Sequence, residues 1–266
     1  MESLTTDPSN AYQGVGAAWA GGPTALYDRL ASVAIANAAS NLRGKRVLDV
    51  GAGTGALCRA LRKAGALPIA VDMSRDMLAL VGDAATAAIA GDMCALPFAD
   101  GEFDAAVSGF AISHIDTPER ALTEMRRVVR RRGQVIATVF GATPASASKD
   151  AVDEVARGFG FEPPAWYARL KTRTEPRSNT PELLRACAES ADLDDINVDD
   201  IAVDSGLDTP ESITAYRAGL AHVAPFIESL PVPRRAEFFE CAVAAVRERG
   251  QPVRPRVLVL SSRVPA

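Results

Sequence analysis

The chain has 266 residues, of which 48% are hydrophobic and 23% charged, and its formal net charge is −4 at pH 7. This composition fits a globular α/β domain with additional segments, and the charge gives no general attraction to nucleic acid or to an anionic membrane. The four cysteines are scattered without a CxxC pair, so we expect no metal site, no disulfide framework and a cytoplasmic location. The first ten residues include acidic side chains and no apolar segment, so we expect no signal peptide.

The N-terminal half alternates between helical and extended patterns. Residues 12–41 are predicted to be mostly helical, with a break at Gly21-Gly22-Pro23. Short apolar runs then predict strands at 45–50, 68–71, 87–90, 103–108 and 134–140, and amphipathic patterns predict helices at 56–64, 74–81 and 118–131. This alternation predicts βαβ units and a parallel sheet covered by helices on both faces.

The C-terminal half has a less regular pattern. Residues 143–180 are rich in Pro, Ala, Ser and aromatic side chains, which favours an inserted lid. Helices are predicted at 181–191, 209–220 and 234–249, and strands at 196–203 and 257–262.

The arginine-rich run RRVVRRR, residues 126–132, could be read as a nucleic-acid-binding sequence. However, Leu122, Met125, Val128 and Val129 follow at helical spacing, which predicts a buried stripe. The arginines then lie on the opposite face and in the last helical turn, where cations favour the helix dipole. We therefore interpret this run as structural.

The sequence VLDVGAGTG combines a strand, a glycine-rich turn and the start of a helix. Gly51, Gly53 and Ala56 satisfy the dinucleotide fingerprint GxGxxA, so this turn alone does not exclude NAD. Asp49 ends the strand two residues before the first glycine, where a carboxylate would repel a pyrophosphate but could hold an ammonium group. The turn is therefore better suited to the amino acid part of S-adenosylmethionine (SAM) than to a dinucleotide.

Two further acids end the next two predicted strands. Asp72, in AVDMS, is suited to accept hydrogen bonds from a ribose diol, although a helix N-cap is the alternative. Asp92, in GDMCALPF, could accept from an adenine amino group, with Met93 against the ring. A fourth element, FDAAVSG, ends at Ser108 and Gly109 before a loop that crosses the end of the sheet.

Together these four elements resemble the class I SAM-dependent methyltransferases, in the small-molecule branch that also contains the ubiquinone/menaquinone methyltransferases. The resemblance covers about residues 42–141. It implies a Rossmann-like three-layer α/β/α sandwich with a seven-stranded, mostly parallel sheet whose last strand is antiparallel. It implies SAM as the cofactor and S-adenosylhomocysteine (SAH) as its product. The positions that match cofactor contacts are Asp49, Gly51, Gly53, Asp72, Met73, Asp92, Met93 and Ser108.

The pattern divides the chain into four predicted segments. Residues 1–41 form an N-terminal helical cap segment, and 42–141 form the SAM-binding core. Residues 142–180 form the lid insertion. Residues 181–266 complete the core and contain a helical cap insertion at about 205–253.

For methyl transfer, the protein must exclude water and align the acceptor with the methyl group. Neither a covalent nucleophile nor a metal is required. His114 follows the fourth predicted strand and is a candidate general base, as is His222 in the cap, with a structural role as the alternative for both. Tyr12 and Trp19 are candidates to close the pocket. The aromatic residues of the cap could line an apolar pocket or form its own core; they are Phe159, Phe161, Trp166, Tyr167, Phe226, Phe238 and Phe239.

The sequence thus predicts a SAM-dependent methyltransferase acting on a small, partly hydrophobic molecule, with secondary metabolism as one setting. Oxygen is the expected acceptor atom, with nitrogen and carbon as alternatives. Two other functions stay open: a SAM- or SAH-binding protein of the same fold that promotes cyclisation or mediates interactions, and an NAD(P)-dependent oxidoreductase. The expected assembly is a monomer or homodimer that binds neither nucleic acid nor membrane.

Overall fold

The computed structural model describes residues 11–38, 41–142 and 146–266. The first ten residues and residues 143–145, which belong to the predicted N-terminal cap segment and lid, lie outside the described residues. The strands are β1 (Arg46–Val50), β2 (Leu67–Asp72), β3 (Ala87–Ala90), β4 (Phe103–Gly109), β5 (Val129–Phe140), β6 (Asp194–Ala202) and β7 (Arg256–Arg263).

These seven strands form one sheet in the order β3-β2-β1-β4-β5-β7-β6. The pairs β3–β2, β2–β1, β1–β4 and β4–β5 are parallel, whereas β7 is antiparallel to both β5 and β6. All strands except β7 therefore run in the same direction. The predicted Rossmann-like sheet with an antiparallel last strand is confirmed.

Eleven α-helices connect and cover the strands within the described residues. Most of the predicted helices are confirmed, and the break at Gly22 separates the first two helices. The helices are α1 (Gly16–Gly21), α2 (Pro23–Ala38), α3 (Ala56–Lys63), α4 (Arg75–Leu78), α5 (Pro118–Val128), α6 (Ala147–Gly158), α7 (Ala165–Arg169), α8 (Pro181–Ser190), α9 (Pro210–Ala218), α10 (Ala224–Ser229) and α11 (Val232–Arg249).

Two predicted helices are shorter than the sequence indicated. α4 has only four residues instead of the predicted 74–81, and the chain then continues into a 3-10 turn. α5 ends at Val128 because Val129 already pairs with Phe103 of β4. The pairing next resumes between Ala105 and Gln134, so the intervening arginines form a bulge in β5 rather than a helical turn.

The two faces of the sheet are buried by different helices. Neighbouring residues of a strand point to opposite faces, so Val47 packs in one apolar cluster and Leu48 in the other. The first face is covered by α2, α3 and the cap helices α6, α9 and α11, and the second by α5 and α8. This arrangement is the predicted three-layer sandwich.

The arginine-rich run is explained by packing within the protein. Leu122, Met125 and Val128 are fully buried against the sheet, as predicted. Arg127 forms ion pairs with Glu124 and Asp100 of its own chain. In the described part of the chain, no helix is both long enough and apolar enough to cross a membrane.

Candidate active site

A cavity of about 630 Å³ lies at the carboxyl ends of β1, β2 and β4, which is the usual ligand position in parallel α/β sheets. Its wall also includes α1, α2 and the segment 165–174, which cross this edge of the sheet. One part of the wall, which we call the acidic part, contains Asp49, Gly51, Gly53, Asp72, Met73 and Met93. Another, the aromatic part, contains Tyr12, Trp19, Tyr27, Phe110, His114 and Trp166.

Asp49 lies deep in the acidic part of the wall. Its Oδ2 accepts hydrogen bonds from the backbone N–H of Cys58 and from Cys58 Sγ, each at 3.1 Å. Its Oδ1 is buried and has no partner among the described residues. Burial raises the pKa of Asp49 to about 7, because the charged form loses hydration that one hydrogen-bonded neighbour does not replace.

Asp72 ends β2 beside the glycine turn and holds it in place. Its Oδ2 accepts from the N–H of Gly53 at 2.8 Å, and its Oδ1 accepts from the N–H of Ser74 at 2.8 Å. The N-cap of α4 is Ser74, whose Oγ accepts from the N–H of Met77, so the N-cap alternative for Asp72 is wrong. Burial raises the pKa of Asp72 above its usual value.

The amides of the glycine turn are already used by the protein. The N–H groups of Gly51 and Ala52 donate to the carbonyl of Val71, and Gly53 N–H donates to Asp72. Phosphate sites in glycine-rich turns depend on such amides being free, and on the absence of neighbouring carboxylates. The geometry therefore disfavours a pyrophosphate, in agreement with the argument from Asp49.

Gly51 is required at its position for two reasons. Its φ is 71°, which side chains rarely adopt, and a β-carbon there would lie only 2.3 Å from the β-carbon of Ala111. Met93 and Met73 also line this part of the cavity, and Met73 is 46% exposed. The cavity thus brings together six of the eight residues predicted to contact the cofactor.

Two of the predicted residues are not in the cavity wall. Asp92 is exposed, and its Oδ1 accepts from the N–H of Cys94 at 2.8 Å, so it closes its own turn. Ser108 is buried, and its Oγ donates to the carbonyl of Val50 at 2.8 Å, joining β4 to β1. These contacts give both side chains a structural explanation and supply no cofactor contact.

The two histidines differ in position. His114 lines the cavity, and its Nδ1 lies 3.5 Å from Tyr12 Oη. His222 does not line it; its ring stacks on Tyr167 at 3.6 Å between centroids, inside the cap. Burial lowers the pKa of His114 to about 4 and that of His222 to about 2, so both are neutral at pH 7. Only His114 is placed to meet a ligand of this cavity.

The aromatic residues of the cap mostly form its own core. Among the seven candidates, only Trp166 lines the cavity. Phe159 packs edge-on against Phe238, and Phe161 packs against Phe226. Tyr12 and Trp19, the N-terminal candidates, do line the cavity and contact each other edge to face.

Sequence reasoning missed several residues of the wall. Tyr27 lies in the second turn of α2, where nothing in the pattern separates a cavity residue from a core residue. Phe110 and Asp116 follow β4, and this position could have indicated them. Asp116 forms ion pairs with Arg169 and, at 3.1 Å, with Arg173. We call the segment 165–177, which contains both arginines, the lid segment.

The family model described as "Methyltransferase domain" matches residues 48–137, from within β1 to within β5. This part of the chain is a methyltransferase domain. The sequence-based assignment to the class I SAM-dependent methyltransferases is thereby confirmed for this region. The match ends before the lid segment and the cap.

A curated relative of the methyltransferase domain is demethylmenaquinone methyltransferase of Clavibacter sepedonicus. It is 34% identical over 122 residues, which are 44% of this chain and 50% of that protein. The chain therefore spans about half the length of the curated relatives it matches.

Solved structures share the fold of nearly the whole chain. Phosphoethanolamine N-methyltransferase 2 of Haemonchus contortus, in complex with phosphomonomethylethanolamine and S-adenosylhomocysteine, has a TM-score of 0.58 at 18% identity, covering 89% of this chain and 52% of that one. The [4+2]-cyclase SpnF has a TM-score of 0.54 at 20% identity, covering 90% and 82%. At these identities the likeness concerns the fold alone.

Replacing Asp72 tests its predicted contact with the ribose. We expect Asp72→Ala to weaken SAH binding by about 1–3 kcal/mol, because a charged hydrogen-bond acceptor is lost. Asp83→Ala is the matched control, because Asp83 is exposed and does not line the cavity, so the affinity of this variant for SAH should stay unchanged. Titration calorimetry measures both, and thermal unfolding checks that the turn is intact. An unchanged affinity of Asp72→Ala for SAH would contradict the assignment of Asp72 to the ribose.

The protonation of Asp49 predicts a pH dependence of SAH binding. An ammonium group needs the carboxylate, so binding is full above the pKa of about 7 and is lost as the pH falls through it. We expect Kd to rise about tenfold between pH 8 and pH 6. Asp49→Asn should bind more weakly at pH 8 and show no such dependence. A wild-type affinity that is flat over this range contradicts the assignment.

Proposed function

We propose that the protein catalyses methyl transfer from SAM to a small, partly hydrophobic organic molecule, with oxygen as the acceptor atom and nitrogen or carbon as alternatives. The observation that carries this proposal is the buried Oδ1 of Asp49, which has no partner among the described residues, in a cavity whose wall also contains aromatic side chains. A carboxylate oxygen at that depth requires a cationic or hydrogen-bond-donating ligand group.

The acidic part of the wall fits SAM. Asp49 would hold the ammonium group, Asp72 the ribose hydroxyls, and Met73 and Met93 would contact the adenosine. The adenine contact predicted for Asp92 and the cofactor contact predicted for Ser108 are supported only by the positions of these residues in the sequence. When bound, SAM supplies an electrophilic methyl group on a sulfonium. The alternative, NAD, would place phosphates against two carboxylates and amides that already have acceptors.

The aromatic part of the wall would hold the acceptor and exclude water from it. Tyr12, Trp19, Tyr27, Phe110 and Trp166 present flat apolar faces, which favour a planar or hydrophobic molecule. The charged groups in this region of the wall, Asp116 and Arg169, neutralise each other. We infer that the acceptor enters uncharged or nearly so.

We infer that His114 assists by accepting a proton or hydrogen bond from the acceptor. In the tautomer we assign, Nδ1–H donates to Tyr12 Oη, so that Nε2 is left as an acceptor. A pKa of about 4 makes His114 a weak base, but ensures that it is unprotonated at pH 7. His222, the second catalytic candidate, has no route to the cavity wall and is not given a role in the proposal.

Replacing each histidine separates these roles. We expect His114→Phe to lower kcat by about 100-fold, the lower end for general-base catalysis, with little change in the Kd of SAH. His222→Phe preserves the stacking on Tyr167 and should leave kcat close to that of wild type. Steady-state kinetics of SAH formation measure both. A kcat unaffected in His114→Phe would leave the histidine with a packing role.

The proposed activity is tested by binding and by turnover. Calorimetry should detect binding of SAM and none of NADH; binding of NADH without SAM overturns the proposal. Turnover is then followed as SAH formed in the presence of phenols, amines and enolisable ketones, with 1,4-dihydroxynaphthalene included because the curated relatives are named for demethylmenaquinone. SAM binding with no SAH formed from any of these classes favours the non-methylating alternative, and the cyclase among the fold neighbours is an example of a different chemistry.

We also propose the cytoplasm as the location, a monomer or homodimer as the assembly, and no nucleic-acid or membrane partner. All four cysteines are free, which suits a reducing compartment. The division into an N-terminal cap segment (1–41), a SAM-binding core (42–141), a lid insertion (142–180) and a C-terminal part (181–266) is likewise proposed. The packing of α9 on α11 supports the cap insertion, and α6 of the predicted lid insertion packs on both of these helices.

A further inference from the structure

Tyr27 is the residue of the aromatic wall whose chemistry the proposed function has not used. Its side chain, in the second turn of α2, is half-buried and lines the cavity. The ring is fixed by three aromatic neighbours, with centroid distances of 5.0 Å to Trp19, 5.5 Å to Phe110 and 6.2 Å to Phe140. Such packing leaves the phenol little rotational freedom, so its oxygen has a defined position in the wall.

The hydroxyl of Tyr27 is free to bind a ligand. It forms no hydrogen bond with the described residues, and its oxygen is not enclosed by protein. The other tyrosines differ, because Tyr12 Oη contacts His114, Tyr167 Oη accepts from Arg217 at 3.4 Å, and Tyr216 does not line the cavity. Burial raises the pKa of Tyr27 well above its usual value, so the phenol is protonated and can donate.

We propose that Tyr27 is a specificity-determining residue: its Oη donates a hydrogen bond to a carbonyl or hydroxyl oxygen of a planar aromatic acceptor. This proposal rests on the proposed function, since it concerns the acceptor region of the same cavity. The aromatic side chains of Trp19, Phe110 and Trp166 favour an acceptor with a planar ring, and the hydroxyl of Tyr27 favours one with an oxygen atom on that ring. A ring without oxygen would bury the phenol unsatisfied and bind more weakly.

The neighbouring charges support an uncharged, oxygen-bearing ring over an ion. Asp116 and Arg169 compensate each other, so neither an ammonium nor a carboxylate on the acceptor finds an unpaired counter-ion among these wall residues. Arg217, on the cap side, is likewise paired with Asp153 through two hydrogen bonds at 2.6 and 2.7 Å. A neutral phenolic or carbonyl compound needs no counter-ion and therefore avoids the free-energy cost of burying an unpaired charge.

The test compares two probes that differ by one hydroxyl, 2-naphthol and naphthalene. Their binding to the SAH-saturated protein is measured by equilibrium dialysis for wild type, Tyr27→Phe and the matched control Tyr216→Phe. Tyr216→Phe removes a hydroxyl from a buried tyrosine outside the cavity wall. Wild type and the control should bind 2-naphthol about tenfold more tightly than naphthalene, the scale of one hydrogen bond. Tyr27→Phe should lose this preference while its affinity for naphthalene is kept.

Each outcome decides the proposal. It is overturned if wild type does not prefer 2-naphthol, or if Tyr27→Phe keeps the preference. A loss of affinity for both probes in Tyr27→Phe also overturns it, because the change then acts through packing. SAH affinity is measured on every variant. If wild type fails to bind SAH, the proposed function fails; if SAH binds and the preference is absent, only the role of Tyr27 fails.

Discussion

The active-site end of the sheet depends on two carboxylates that hold the glycine turn. Asp49 Oδ2 accepts from the N–H of Cys58 at the start of α3, and Asp72 accepts from Gly53 and Ser74. These bonds fix the path of the turn, and they consume amides that would otherwise attract an anion. The price is a buried carboxyl whose charged form is disfavoured, with a pKa of about 7. The turn is therefore constructed for a ligand that brings positive charge and hydrogen-bond donors.

The tryptophan and histidine side chains lie at this cavity or next to it. The chain has only two tryptophans and two histidines. Both tryptophans and His114 line the cavity, and His222 stacks on Tyr167 directly behind Trp166. Four of the six residues of the aromatic part lie outside the matched region 48–137, namely Tyr12, Trp19, Tyr27 and Trp166, whereas Phe110 and His114 lie within it. The matched region thus supplies the acidic part of the wall together with Phe110 and His114, and segments outside it supply the other aromatic side chains.

Strand-end acids could be predicted from the sequence, but their orientation could not. Asp49, Asp72 and Asp92 follow the same pattern, and the first two line the cavity because β1 and β2 are paired on both sides. Asp92 follows β3, the edge strand, where the chain turns back on itself with an isolated bridge to Ala95. Ser108 precedes the last residue of its strand, and the two-residue period of a strand directs it toward Val50.

Local sequence patterns could not predict which residues of distant segments line the cavity. The sequence offered both histidines as candidate bases, and only the packing of the cap separates them, since Trp166 lines the cavity while Tyr167 stacks on His222. Tyr27 was indistinguishable from the apolar residues of α2, because it lies on the same face as the buried Leu30 and Ala31, and helical spacing does not separate a cavity residue from a core residue.

The lid segment is held to the core by contacts of modest strength. Asp116 is 35% exposed and its partners Arg169 and Arg173 are 51% and 68% exposed, and ion pairs at such exposure contribute about 1 kcal/mol or less. The firmer attachment is on the cap side, where Tyr167 stacks on His222 and accepts from the buried Arg217. The contacts of the lid segment with the cap are therefore firmer than the ion pairs of Asp116 at the cavity wall.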